Sequence, residues 1–237
     1  LIIGTLCFFM VRALPGDLAM RVAASRYGLD LVSGAAADAV RAEMGLNQSA
    51  WQGLLGWWRD MATLNLGQSL ITQRPVWVEV AHHLGATLRL SAAALAVALA
   101  VGLPLGLWAG LRPGSWADRA SWALAVVLRG TPPFLLSVLL MLLVAVHWGA
   151  LPVAGDDDSA SLVLPALALG LGLGAGLARV TRSAMQEVAQ SPAFEFARTK
   201  GLTDMQAMLR HGLRAATVPV VAYLGVQTLF LVEGALV

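Results

Sequence analysis

The residues able to do chemistry are few in this 237-residue chain, and they do not gather. His82 and His83 are adjacent, so their side chains leave the backbone in different directions and give only a weak metal-site signal. His147 stands at the edge of an apolar run and reads as an interfacial residue, while His211 lies in a charged segment. The single cysteine, Cys7, sits in an apolar run; with one thiol there is neither a disulfide framework nor a cysteine metal cluster, and Cys7 reads as a small hydrophobe. No nucleophile, base and orienting group lie together in the sequence, so an enzyme reading has little support. The only lysine is Lys200, and no Gly-x-x-x-x-Gly-Lys-Ser/Thr occurs. The chain therefore lacks the phosphate-gripping loop of an ATPase. Gly170-x-Gly172-x-x-Ala175 has the outline of a dinucleotide fingerprint, but no strand precedes it, and its apolar setting makes it packing.

Two charges are placed where charge is costly. Arg129 and Glu233 interrupt apolar runs. An unpaired charge at a bilayer centre costs roughly 2.5–3.5 kcal/mol on insertion scales, so such residues face a bundle interior or a water path. For Arg129 two readings are open: it faces a pore, or it snorkels to the inner surface. Pro132-Pro133 follows it directly, and broken backbone is tolerated where it lines water.

A third feature is a capped helix–turn–helix over residues 190–214. Ser191-Pro192 supplies an N-cap and a proline at the first helical position. The helix Ala193 to Lys200 is expected to stop at Gly201, which can take a left-handed cap. Thr203-Asp204-Met205-Gln206 fits a capping box opening a second helix, with Asp204 near its positive end. Met205, Met208, Leu209 and Leu213 recur at helical spacing. A soluble helix–turn–helix of this kind would be a DNA reader, but the long apolar segments on both sides, which read as membrane spans, argue against that.

The elements that must hold these residues are membrane helices. The composition is 58% hydrophobic and 13% charged, with a mean hydropathy of +0.72. A soluble domain carries about twice that charged share. A net charge of +2 is too weak for a nucleic-acid binder. Leu1 to Val11 is too short to cross a bilayer, which takes roughly 20 residues. It reads as the back half of a first membrane helix; a signal peptide is the alternative, without a basic start or an Ala-x-Ala site. Further apolar segments run from about Leu84 to Leu111, Ala120 to Trp148 with the Pro132-Pro133 interruption, Leu162 to Ala178, and Ala215 to Val237, where the chain stops. The expected fold is an all-α polytopic helical bundle with about five spans, each of roughly bilayer length and the first and last of them truncated. In the fourth, Gly170, Gly172, Gly174 and Gly176 would let another helix approach, and Gly172-x-x-x-Gly176 is a small-x-x-x-small spacing.

Charge orients these spans. The loop between the fourth and fifth, about 179–214, carries Arg179, Arg182, Arg198, Lys200, Arg210 and Arg214 against Glu187, Glu195 and Asp204. Arg112 and Arg119 mark the turn between the second and third. The turn between the third and fourth holds Asp156, Asp157 and Asp158 and no basic residue. The basic connections face the cytoplasm and the acidic turn faces out. The segment of about 12–81 then also lies outside. Within it Asp38 to Met44 has helical composition, and Trp51, Leu54, Leu55, Trp57 and Trp58 form an aromatic cluster. That cluster is an interfacial anchor or a docking face for an outer partner.

Glu195-Phe196-Ala197-Arg198-Thr199-Lys200-Gly201, followed by Leu209-Arg210-His211-Gly212-Leu213-Arg214 and Pro219, resembles the EAA loop of permease subunits of binding-protein-dependent ABC importers. Its Arg-His-x-Leu-Arg form before the proline is similar to the dipeptide, oligopeptide and nickel branch. Leu14-Pro15-Gly16-Asp17, Asn65-Leu66-Gly67-Gln68-Ser69, Arg74-Pro75-Val76, Leu84-Gly85-Ala86-Thr87-Leu88, Leu151-Pro152 and Leu164-Pro165 fall in the same order as in that branch. Departures are Phe196 for a small residue, Asn65 and Gly85 for the commoner Asp and Pro, and the charges Arg129 and Glu233.

The resemblance implies a type I importer permease, a single transmembrane domain over 1–237 of a kind that normally has one further outer loop and span. It implies a non-catalytic subunit of the bacterial inner membrane that pairs with a second homologous permease, two ATPase subunits and an external solute-binding protein. ATP and Mg would sit on the partner ATPase, with no cofactor, metal or nucleic acid on this chain and lipid around it. Glu195, Phe196, Ala197, Lys200, Gly201, Leu202, Arg210, His211 and Arg214 would form the ATPase-coupling loop; the candidate pore-facing residues, Arg129 and Glu233, rest on their charge within apolar runs and not on the resemblance. The cargo would be a peptide, or nickel or a chelated metal. The rival reading is an ion-coupled secondary transporter, which calls for repeated halves with broken helices; no convincing internal repeat is visible. A membrane scaffold protein, a third class, would not require the capped inner loop.

Overall fold

A computed structural model describes residues 2–14, 16–28, 33–152 and 160–234, and the chain contacts divide into two compact units, Leu1–Leu84 and Gly85–Val237. The acidic turn Asp156–Asp158, Pro15 and the end of the fifth span at Val237 lie outside the described residues, as do the side chains of Leu209 and His211.

The first unit opens with α1 (Ile2–Ala13), α2 (Leu18–Tyr27), α3 (Gly34–Glu43) and α4 (Ala50–Ala62). Short polar residues start the last three: Asp17, Ser33 and Ser49 each accept a backbone N–H of the first turn. The expected helix at Asp38 to Met44 is thus the second half of α3. Helices α2 and α3 pack through Ala19, Val22, Ala23 and Val40. Arg26 fastens the pair, donating to both carboxylate oxygens of Glu43 at 2.7 and 3.1 Å and to the Leu70 carbonyl at 2.5 Å. Its guanidinium holds the Glu43 carboxyl below the usual carboxylate range. The tryptophan cluster lies on α4, and all three of its indole rings reach α1. Trp57 meets Phe8 and Trp51 meets Phe9 at centroid distances of 6.4 and 6.0 Å, Trp58 donates to Thr5 Oγ1 at 3.1 Å, and Leu54 is fully buried.

Helix α5 runs from Val76 to Leu111. It begins earlier than the expected Leu84, because polar Glu79, His82 and His83 continue a helix that hydropathy alone does not register. The second unit continues with α6 (Trp116–Gly130) and α7 (Pro133–Leu140), the latter extended by a π-helical segment, Met141–His147. The third span is not straight: α6 and the helix after it meet at 101°. The Pro132-Pro133 pair explains the bend. A residue before proline is pushed out of the helical region, and Thr131 (ψ 125°) and Pro132 (ψ 137°) are both extended.

Helix α8 spans Val163–Ala189, well past the expected end at Ala178. Arg179 and Arg182 are therefore helical residues, and the inner connection proper begins only after Ala189. It holds α9 (Pro192–Thr199) and α10 (Asp204–Ala207); a π-helical segment, Met208–Gly212, then leads without interruption into α11 (Leu213–Gly234). Among the described residues three helices (α5, α8 and the Ala216–Glu233 stretch of α11) are long and apolar enough to cross a membrane, or up to 5 spans if each bent pair counts as one. Among the described residues there is no strand, only one isolated bridge, Gln68 with Pro75.

Small residues set the closest helix approach. On α5, Ala94, Ala98, Gly102, Gly106 and Gly110 recur every four residues and pack on α8. A Cβ at Gly102 would stand 2.6 Å from the Gly174 carbonyl oxygen, and one at Gly106 would stand 2.6 Å from that of Ala178. Gly170 meets Val97 and Ala94 in the same way. The packing pair on α8 is thus Gly170 and Gly174, not the Gly172 and Gly176 pair anticipated from spacing. Gly172 faces open space and Gly176 abuts Tyr223 of α11.

Candidate functional site

The inner connection is built from local caps. Ser191 Oγ accepts the Phe194 N–H at 3.3 Å and donates to the Val188 carbonyl at 2.7 Å, so one side chain ends α8 and starts α9. Pro192 then takes the first helical position, where a missing N–H costs nothing. At the far end Gly201 adopts φ +83°. Its N–H donates to the Arg198 carbonyl at 2.9 Å, and the Leu202 N–H donates to the Ala197 carbonyl at 3.3 Å. That is a Schellman motif, and its apolar partner is present because Leu202 folds back onto the core that contains Ala197. Two residues on, the capping box is complete: Gln206 N–H to Thr203 Oγ1 at 3.3 Å and Thr203 N–H to Gln206 Oε1 at 3.1 Å.

These caps give the loop two faces. Inward, Phe194 (5% exposed), Ala197, Ala207 and Met208 form one core with Ala184 and Met185 of α8 and Ala216 of α11, against which Leu107 and Leu111 of α5 also pack. Outward stand Glu195, Phe196, Arg198, Lys200, Gly201, Asp204 and Met205. Phe196 is 61% exposed, with Lys200 Nζ 4.4 Å from its ring centroid. Arg198 and Asp204 pair across the turn at 3.1 Å. The proposed loop residues therefore separate into two roles. Glu195, Phe196, Lys200 and Gly201 share the outer surface, whereas Ala197 and Leu202 pack inward and position it. Arg210 and Arg214 are exposed further along, on the π-helical segment and the first turn of α11.

The two candidate pore-facing charges lie elsewhere. Arg129 is exposed in the last turn of α6, immediately before the bend, and Glu233 is exposed near the end of α11. No ion pair joins them among the described residues. His82 and His83 have ring centroids 5.5 Å apart, and His83 lies 3.6 Å from Glu79. Among the described residues no three His, Cys, Asp or Glu side chains converge as metal ligands.

Two polar contacts were not visible in the sequence. Asp118 of α6 and Arg182 of α8 form a two-pronged ion pair, with Nε on Oδ1 and Nη2 on Oδ2 at 2.8 Å. The sequence signal was slight: Ser115-x-x-Asp118 has the form of a helix start, and Asp118 is the acid in an otherwise basic turn. On α11, Gln227 donates to Tyr223 Oη at 2.9 Å, and Tyr223 donates to the Leu173 carbonyl of α8 at 3.3 Å. Polar side chains spaced four apart on an apolar helix mark the face turned to another helix, which is the signal that could have found them.

Residues 102–237 match the family described as binding-protein-dependent transport system inner membrane component. The glutathione transport system permease protein GsiC of Pectobacterium atrosepticum is 35% identical over 237 residues, covering 100% of this chain and 76% of that protein. Its counterpart in Escherichia coli K12 is 33% identical over 236 residues, with the same shares of each chain covered.

Proposed function

The chain belongs to the family of binding-protein-dependent transport system inner membrane components, the permease subunits of ABC importers, and on that premise we propose that its capped inner loop is the element that docks the ATPase. The observation that carries the proposal is the loop's two-sided build. The inner face is fully spent on the core through Phe194, Ala197, Leu202, Ala207 and Met208. The outer face keeps a large exposed aromatic ring, Phe196, in a setting of mixed charge. An exposed aromatic anchor ringed by polar groups suits a docking surface, and its backbone is held by a Schellman turn and a capping box.

In this reading hydrolysis takes place on two ATPase subunits that hold ATP and Mg, and this chain contributes no catalytic group. A second homologous permease completes the path, an external binding protein delivers the solute, and residues 1–237 act as one permease domain. Closure of the ATPases moves the loop, and the loop moves α8 and α11, with which it shares its core. Arg129 and Glu233 are proposed to face the path. The relatives are glutathione permeases by name, so the proposed cargo is a short peptide of that size and polarity. Nothing in the chain favours nickel over a peptide. Family membership displaces the ion-coupled alternative.

The test is retention of the partner ATPase by the purified permease pair. Phe196→Asp and Glu195→Arg change the outer face without entering the core. Both are expected to insert normally and to lose the ATPase on purification. Full retention by both, with wild-type uptake of labelled glutathione and a dipeptide set, would remove the docking assignment.

A further inference from the structure

Asp118 is the most thoroughly engaged carboxylate among the described residues of the inner half. It occupies the first turn of α6, where the N-cap Ser115 Oγ accepts its N–H at 3.4 Å. Its Oδ2 accepts the Gly114 N–H at 2.9 Å from the preceding turn. Arg182 closes on both carboxylate oxygens from α8, and its remaining Nη1 donates to Gln186 Oε1 at 3.0 Å. Asp118 is only 8% exposed. The carboxylate and the guanidinium fork are thus held by bonds from two directions, which fixes the angle between the two helices as well as their distance.

The pair sits at a junction. The carbonyl of Arg182 lies 3.1 Å from where a Cβ on Gly110 would stand, so the end of α5 passes directly beneath it. One turn further along α8, Ala184 and Met185 form the floor on which the inner loop is packed. In the other direction α6 leads from Asp118 to Arg129 and the proline bend. A partly buried ion pair adds little net stability over well-packed apolar groups, whereas its two-pronged bonds restrict the geometry of the two helices that carry it. An ion pair at this point is better suited to locking α6 to α8 than to strengthening the fold.

From this we infer that Asp118 and Arg182 are positioning residues that make α6 and the inner half of α8 move as one body, so that displacement of the inner loop reaches the Arg129 bend. The inference rests on the reading of that loop as the ATPase-docking element. Asp118→Asn keeps an acceptor for Gly114 and the volume of the side chain, but removes the charge. Arg182→Lys keeps the charge and removes the fork. Both should fold, with wild-type ATPase retention.

The readout is the distance between spin labels at Trp122 on α6 and Ser183 on α8, both exposed, in the complete importer, nucleotide-free and then trapped with ATP and vanadate. In the wild type that distance should stay constant between states. In both variants it should shift by about 2 Å or broaden, the scale of helix movements at interfaces. ATP hydrolysed without uptake of labelled glutathione or a dipeptide should rise at least about fivefold, the low end of ordinary coupling effects. A wild-type distance that changes between states would overturn the inference, as would variants whose distance stays fixed. Vanadate trapping needs a bound ATPase, so failure of the docking reading appears separately, as Phe196→Asp retaining its ATPase.

Discussion

Replacing Gly201 separates backbone strain from steric clash with unusual clarity. Its φ is +83°, and a Cβ built there meets nothing within 4 Å. Any cost of a side chain is therefore conformational. For an L-residue that cost is about 1–2 kcal/mol, and β-branched residues do worst. Asn tolerates the left-handed region far better than Val. The whole bundle can absorb such an energy, but the turn cannot, since its two closing bonds, Gly201 to Arg198 and Leu202 to Ala197, depend on that φ. A shift of 1–2 kcal/mol changes an equilibrium by roughly 5–30-fold. Gly201→Val should therefore insert and purify, with a melting temperature lowered by only a few degrees. Its affinity for the ATPase, titrated on the reconstituted permease pair, should fall by about that factor, while Gly201→Asn stays within a few-fold of wild type. Equal binding by wild type and Gly201→Val would refute the reasoning, and so would an Asn variant as weak as Val.

Three further outcomes follow from the packing and the charge pattern. Gly106→Val should lower the melting temperature of the purified permease, because its Cβ would stand 2.6 Å from the Ala178 carbonyl oxygen and overpacking costs about 1–3 kcal/mol; Gly172→Ala, facing open space, should leave it unchanged. Phe194→Ala should destabilise the chain by about 3–5 kcal/mol in thermal or denaturant unfolding, whereas Phe196→Ala should leave stability intact and weaken only ATPase retention. Cysteines at Asp157 and Thr203 in a background without Cys7 should react with an impermeant thiol reagent on intact cells at Asp157 and not at Thr203; the reverse pattern would invert the topology.

The parts legible in the sequence were those fixed by local chemistry. Ser191-Pro192, Gly201 and the Thr203–Gln206 pair are caps, and a cap is decided by residues within one turn, so the ends of α9 and the start of α10 fell where expected. Apolar runs located the spans but not the helices. Hydropathy senses the membrane edge, and α5 and α8 run on past it through Glu79, His82, Arg179 and Arg182. The proline pair marked an interruption, yet the 101° bend depends on two successive extended residues. Which glycines of α8 pack could not be read either. The four-residue stripe of small residues from Ala94 to Gly110 stands in the sequence, but whether it meets Gly170 with Gly174 or Gly172 with Gly176 depends on how α5 and α8 lie against each other. The Asp118–Arg182 pair, separated by most of two spans, was hidden for the same reason.

The docking role of the outer loop face can be tested where it is most exposed. A photoreactive side chain at Phe196, in the complete importer within inner-membrane vesicles, should yield a covalent adduct of this chain with the ATPase subunit. The same group at Trp122 of α6, also exposed, should yield none. If the ATPase is present in the purified complex and Phe196 forms no adduct with it, the loop is not the docking element and the proposed coupling route fails.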